Sequence, residues 1–189
     1  MERTALVYLG SSSGNKPIFV EAAKKLGRAL AQKGFRTVYG GANVGTMKAL
    51  ADGVSEGKGE IIGVFPTGFK GKKENSSRGV EVMHHNLSRM IEVADMAERK
   101  KKMEEMSSFC IVLPGSFGTL DELFTFAINK QLGYNSKPIF ILNLEGYYDP
   151  LIQMMHNMAI NGFIRSEELD LITFCNSIDD ILEKINTFV

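Results

Sequence analysis

An excess of charge of either sign is absent from this chain: Lys+Arg and Asp+Glu number 22 each in 189 residues. No global field therefore gathers nucleic acid or anionic lipid, and any anion specificity must come from a local site. Neither nucleic acid nor a membrane is expected as a partner. Cysteine is scarce too. Cys110 and Cys175 lie in the apolar stretches SSFCIVLP and LITFCNS, which suits buried reduced thiols and a cytoplasmic location and offers no disulfide framework. Long hydrophobic runs are missing, and Met1–Leu9 is too short for a signal-peptide core or a membrane span. Repeats, low-complexity tracts and linkers are missing as well, so residues 1–189 read as one domain. What remains is ordinary globular composition, 44% hydrophobic and 23% charged, with length enough for a real core.

Short apolar runs alternate with longer amphipathic ones. Strands are expected at Thr4–Leu9, Phe35–Tyr39, Glu60–Phe65, Phe109–Leu113 and Pro138–Leu142, with shorter pieces near Val80–Met83, Met90–Val93 and Leu171–Phe174. Helices are expected at Pro17–Lys33, Gly45–Glu56, Asp95–Met106, Thr119–Leu132, Asp149–Asn161 and Ile178–Thr187. Gly34 stops the first of these. Pro66–Gly79 reads as a loop. The βαβα rhythm predicts an α/β, Rossmann-like three-layer fold: a mostly parallel sheet with helices on both faces.

In such a sheet ligands bind beyond the carboxyl ends of the strands. Three loops follow strands there: Gly10-Ser11-Ser12-Ser13-Gly14, Gly40-Gly41-Ala42-Asn43-Val44-Gly45 and Pro114-Gly115-Ser116-Phe117-Gly118-Thr119. Small residues let backbone amides approach a ligand, and each loop leads to a helix N-terminus that favours an anion. One such loop is no more than a tight turn; three at one edge make a site. None ends in Gly-Lys-Ser/Thr as a Walker A loop does, and the first does not follow the dinucleotide G-x-G-x-x-G pattern. A mononucleotide or sugar phosphate fits better than ATP or NAD.

Thr119-Leu120-Asp121-Glu122 reads as a capping box, with Thr119 as N-cap and Glu122 at the third helical position. Asp121 and Glu122 would then crowd a bound phosphate. At ~5 Å two unit charges repel by roughly 3 kcal/mol at an effective dielectric of 20. The conflict resolves if one carboxylate turns toward the sugar, where it can stabilise positive charge at an anomeric carbon or activate water. Upstream, Ala97–Met106 reads as a charged helix with pairs such as Glu98–Lys102. Arg99 and Lys100 on it precede the strand that feeds the phosphate loop, and a planar guanidinium suits phosphate or ribose.

These residues resemble the Lonely Guy family, cytokinin riboside 5′-monophosphate phosphoribohydrolases that often carry the label lysine decarboxylase. The likeness covers essentially the whole chain. It runs through Val7-Tyr8-Leu9-Gly10-Ser11-Ser12-Ser13-Gly14, Tyr39-Gly40-Gly41 with Val44-Gly45, and Asp95-Met96-Ala97-Glu98-Arg99-Lys100. It continues through Leu113–Leu123, Gln131-Leu132-Gly133-Tyr134, Lys137-Pro138 and Gly146-Tyr147-Tyr148-Asp149-Pro150-Leu151. The resemblance implies Arg99 and Glu122 as catalytic residues. It implies Gly115, Gly118 and Thr119 as the 5′-phosphate cradle, Lys100 as an assisting cation and Glu81 as a substrate contact. Gly10, Ser11, Gly40, Gly41, Ser116 and Asp121 complete the expected binding set. The implied reaction is hydrolysis of an N6-modified AMP to free base and ribose 5-phosphate, by a homodimer, with no metal or organic cofactor.

Three positions depart from the family pattern: Ser116 replaces a second loop glycine, Ala97 a histidine and Ile128 a threonine. The last two bear on the base accepted. Two alternatives stand beside the main reading. One is hydrolysis of plain AMP or another nucleoside monophosphate; the other is a nucleotide-binding or carrier module without turnover. The neighbouring His84 and His85, with distant His156, do not make a chelating pair, so no metal is expected. Met154-Met155-His156-Asn157-Met158 reads as core or dimer packing, and Lys70–Lys73 as a solvated loop near the strand edge.

Overall fold

Strands buried on both faces read as near-continuous apolar runs, as Thr4–Tyr8, Ile61–Pro66, Phe109–Val112 and Ile139–Leu142 do, each buried at every position. A computed structural model describes residues 3–67, 84 and 87–188. Its strands are β1 (Thr4–Tyr8), β2 (Arg36–Tyr39), β3 (Ile61–Pro66), β4 (Arg89–Val93), β5 (Phe109–Val112), β6 (Ile139–Leu142) and β7 (Thr173–Cys175). They form one sheet in the order β4-β3-β2-β1-β5-β6-β7, and every pair is parallel. The helices are α1 (Pro17–Gln32), α2 (Gly45–Glu56), α3 (Met96–Met106), α4 (Phe117–Gln131), α5 (Asp149–Ile160) and α6 (Ile178–Phe188). The expected three-layer α/β architecture is present. The expected strand at Val80–Met83, the basic loop Lys70–Lys73 and the candidate contact Glu81 lie outside the described residues.

The pleat sorts side chains into two cores. Ala5, Val7 and Leu9 of β1 and its following residue face α1, α2 and α6, with Leu26, Leu50 and Ile181 at the centre. Leu6 and Tyr8 face α3, α4 and α5, where Met103, Leu123, Phe126 and Met155 pack. The side on which successive strands are added reverses between β1, which leads to β2 on one side, and β5, which leads to β6 on the other. That switch point places two loop–helix junctions side by side, the usual seat of a ligand in an open parallel sheet.

Helices α1 and α2 approach closely because glycines meet backbone. A Cβ on Gly27 would collide with the Leu50 carbonyl, and one on Gly53 with the Lys24 carbonyl. Gly53→Ala is expected to destabilise the protein by about 1–3 kcal/mol, the usual cost of overpacking a filled interface. A denaturant midpoint lowered with unchanged slope would show it.

Several boundaries differ from expectation. Helix α4 starts at Phe117, with Ser116 as N-cap, so Thr119 is no cap and the Thr119–Glu122 capping box does not form. The box-like cap belongs to α3 instead. Asp95 accepts from the Glu98 N–H at 2.9 Å, and the Glu98 carboxylate accepts from the Ala94 N–H at 2.6 Å. That use of Glu98 replaces the expected pairing with Lys102. Short 3-10 turns at Leu144–Gly146 and Ser166–Leu171 were not anticipated. Both cysteines are free and buried. No helix among the described residues is long and apolar enough to cross a membrane.

Candidate active site

The three glycine loops meet at the switch point. A Cβ on Gly10 would touch the Gly115 Cα at 3.4 Å, and one on Gly45, itself at φ +53°, would strike the Ser11 carbonyl. Thr46 Oγ1 donates to the Gly10 carbonyl at 2.8 Å, pinning the first loop to α2. Between the first and third loops lies a cleft of about 580 Å³ walled by Ser11, Gly14, Phe19, Gly115, Ser116 and Tyr147. Gly115 is glycine for a local reason, since a Cβ there would collide with the Thr119 side chain. Gly118 is different: a Cβ on it would meet nothing within 4 Å. Packing does not demand that glycine, and the space above it adjoins the free N–H groups that open α4.

Helix α4 buries Thr119, Glu122, Leu123 and Phe126. The spacing i, i+3, i+4, i+7 is that of a core-facing stripe. Glu122, only 5% exposed, therefore occupies a position where a helix ordinarily places an apolar side chain. A buried carboxylate needs compensating contacts, since leaving it bare would cost several kcal/mol. Asp121 takes the opposite course. It lies on the solvent side and receives the Lys100 ammonium at 2.9 Å on both oxygens, while Thr125 Oγ1 meets the same ammonium at 2.9 Å. Neither acid stands in the first turn of α4. The predicted crowding of a phosphate at the helix start is thus relieved by the two-residue shift of that start.

Arg99 is the counterpart on α3, which buries only Arg99 and Met103 among its residues. The guanidinium lies across the ends of β2 and β3. Nη2 donates to the Gly40 carbonyl at 2.8 Å and Nε to the Val64 carbonyl at 3.0 Å, with Nη1 3.5 Å from the Met96 sulfur. Carbonyl dipoles fix its orientation without cancelling its charge. Gly40 makes this possible: any Cβ on it would overlap the guanidinium. Gly41, at φ +78°, bends the chain away next to Met90 and Gly63.

The charges of Arg99 and Glu122 converge on Tyr8, the last residue of β1. Burial, then Cys110, Glu122 and Glu104, push its phenol well above the ordinary range, while Arg99 pulls it down. The Lys100–Asp121 pair ties α3 to α4 on the solvent side of Asp121. Lys100 stands in this helix-to-helix bridge.

Sequence reasoning missed Thr46, Phe19 and Tyr147 as walls or pins of the cleft. The Gly146-Tyr147-Tyr148 motif was in view, yet nothing in its spacing shows that it folds back over Gly115.

Fold and site together define a Rossmann-type α/β protein with a phosphate-ready helix N-terminus, a buried carboxylate on that helix and a buried guanidinium on α3. The chain belongs to the Lonely Guy (LOG) family. Residues 47–185 match a family model described as "possible lysine decarboxylase". The protein named probable cytokinin riboside 5′-monophosphate phosphoribohydrolase of Oryza sativa subsp. japonica is 34% identical over 182 residues, covering 96% of this chain and 78% of that one. The cytokinin riboside 5′-monophosphate phosphoribohydrolase of Rhodococcoides fascians is 32% identical over 185 residues, covering 98% and 90%. The molybdenum cofactor binding protein of Rippkaea orientalis superposes with a TM-score of 0.71 over 100% of this chain and 98% of that one. At 20% identity that likeness shows the fold alone.

Proposed function

We propose that the protein hydrolyses the N-glycosidic bond of an N6-modified adenosine 5′-monophosphate, releasing the free base and ribose 5-phosphate. The observation that carries this reading is Glu122, a carboxylate on the buried stripe of α4 just beyond an unobstructed helix N-terminus. The 5′-phosphate occupies the N–H groups at Ser116–Thr119, which sets the ribose over Tyr8 and between Glu122 and Arg99. As the C1′–N9 bond breaks, its electron pair leaves with the base and positive charge grows on the sugar. Glu122 stabilises that charge and takes a proton from the water that adds to C1′; the departing base anion takes up a proton from solvent, to which Glu122 then returns its own. Arg99, held rigid by two carbonyls, orients the ribose or phosphate oxygens. The relatives named as phosphoribohydrolases support this chemistry for the chain.

A homodimer belongs to the same proposal. Phe124 and Ile128 on α4 are 43% and 46% exposed, and Ile160 at the end of α5 and Phe163 beyond it are each 83% exposed. Large apolar side chains exposed in this way suit burial against a second copy. Buried free thiols support a cytoplasmic location.

The direct test incubates the protein with N6-isopentenyl-AMP and with AMP and follows free base and ribose 5-phosphate by chromatography. Product from the modified nucleotide is expected in excess of product from AMP. Equal or greater cleavage of AMP would make it a plain nucleosidase. Binding of both without product would make it a carrier module.

A further inference from the structure

The turn joining β6 to α5 bears strain next to the site. Glu145 has φ +52° and Gly146 φ +70°, and a non-glycine residue in the left-handed region is strained. The bend sends two consecutive tyrosines back over the phosphate loop. Tyr148 Oη donates to the Leu113 carbonyl at 2.8 Å, and Tyr147 Oη donates to the Gly115 carbonyl at 2.5 Å. Tyr148 is itself fixed: the Asn143 side-chain oxygen accepts its N–H at 2.7 Å, and Asn143 Nδ2 donates to Asp149 at 2.7 Å. The Tyr147 ring meets Phe19 edge-on with centroids 5.9 Å apart, and the Lys16–Glu145 ion pair at 2.6 Å closes the same seam.

We propose that Tyr147 and Tyr148 are positioning residues of the phosphate site, whose hydroxyls lock the loop peptides so that the Ser116 N–H faces the ligand. The inference rests on the reading that a ligand phosphate occupies the N-terminus of α4. Its physical basis is the planar trans peptide, in which C=O and N–H point in opposite directions. Holding the Gly115 carbonyl on the Tyr147 side therefore aims the Ser116 N–H the other way. Glycine leaves that peptide free to flip at little cost, and a flipped peptide would present a carbonyl oxygen to the phosphate. Tyr148 does the same work two peptides earlier, at the Leu113–Pro114 peptide, where proline has no N–H and only the carbonyl can be held. Burial keeps the Tyr148 phenol protonated and hence a donor.

Tyr147→Phe retains the ring and its contact with Phe19 and removes only the hydroxyl. With N6-isopentenyl-AMP as substrate, KM is expected to rise about tenfold, the equivalent of one hydrogen bond, with kcat within roughly twofold. Calorimetry with ribose 5-phosphate is expected to show the same loss, and with the unphosphorylated nucleoside none. A structural role alone would weaken both ligands together, and that outcome, or an unchanged Kd for ribose 5-phosphate, overturns the inference. Wild-type protein that binds ribose 5-phosphate but cleaves no nucleotide would sink the phosphoribohydrolase reading while the calorimetric comparison still decides the lock. Wild-type protein that fails to bind ribose 5-phosphate would overturn the lock itself. Tyr148→Phe, checked by thermal melting, is expected to shift the same Kd in the same direction.

Discussion

Replacing Glu122 with glutamine is expected to lower kcat by roughly 10^2- to 10^4-fold while leaving nucleotide binding within reach of wild type. Gln keeps the shape of the side chain and removes its charge and its basicity. Glu122 is 5% exposed on a stripe shared with Leu123 and Phe126, and glutamine fills the same space there. A thermal melt showing a folded variant together with lost turnover would mark a residue kept for chemistry. Steady-state kinetics and a thermal melt on one preparation measure both. Full activity in the variant would remove Glu122 from the mechanism.

Replacing Arg99 is expected to cost stability as well as activity. Arg99→Ala strips the Gly40 and Val64 carbonyls of their donors, and a buried acceptor left unpaired costs about 1–3 kcal/mol. Arg99→Lys keeps the charge, yet one ammonium on a flexible stem does not reproduce a planar fork that reaches two strand ends. For the lysine variant kcat/KM is expected to fall roughly a hundredfold or more, the scale of losing one preorganised electrostatic group. Denaturant titration separates the two effects: an alanine variant as stable as wild type would contradict the buried bonding, and a fully active lysine variant would contradict the need for the fork.

Much of the site could be read before folding because its parts are local. Pro114–Thr119 is a loop between an apolar strand and an amphipathic helix, and such junctions are set by residues within a few positions of one another. The position of the α4 start was misread for an equally local reason. Thr119 and Glu122 have the spacing of a capping box, but the helix gains a further half-turn by starting at Phe117, with Ser116 as its extended N-cap. Glu98, read as part of a solvated face, is instead taken by the cap of its own helix.

The sequence by itself determined the alternation of strand and helix, hence the parallel sheet, and it determined which residue types stand at the strand ends. It held Arg99, Glu122 and the three loops as separate signals. Only the tertiary structure decided which of them share a space. Gly40 proved to be room for the Arg99 guanidinium, Asp121 a partner for Lys100, and Tyr147 a donor to Gly115 from 32 residues away. The physical reason is range. Propensity, capping and periodicity act over one or two turns, whereas a buried charge and the carbonyls that hold it are brought together by the order of strands in the sheet.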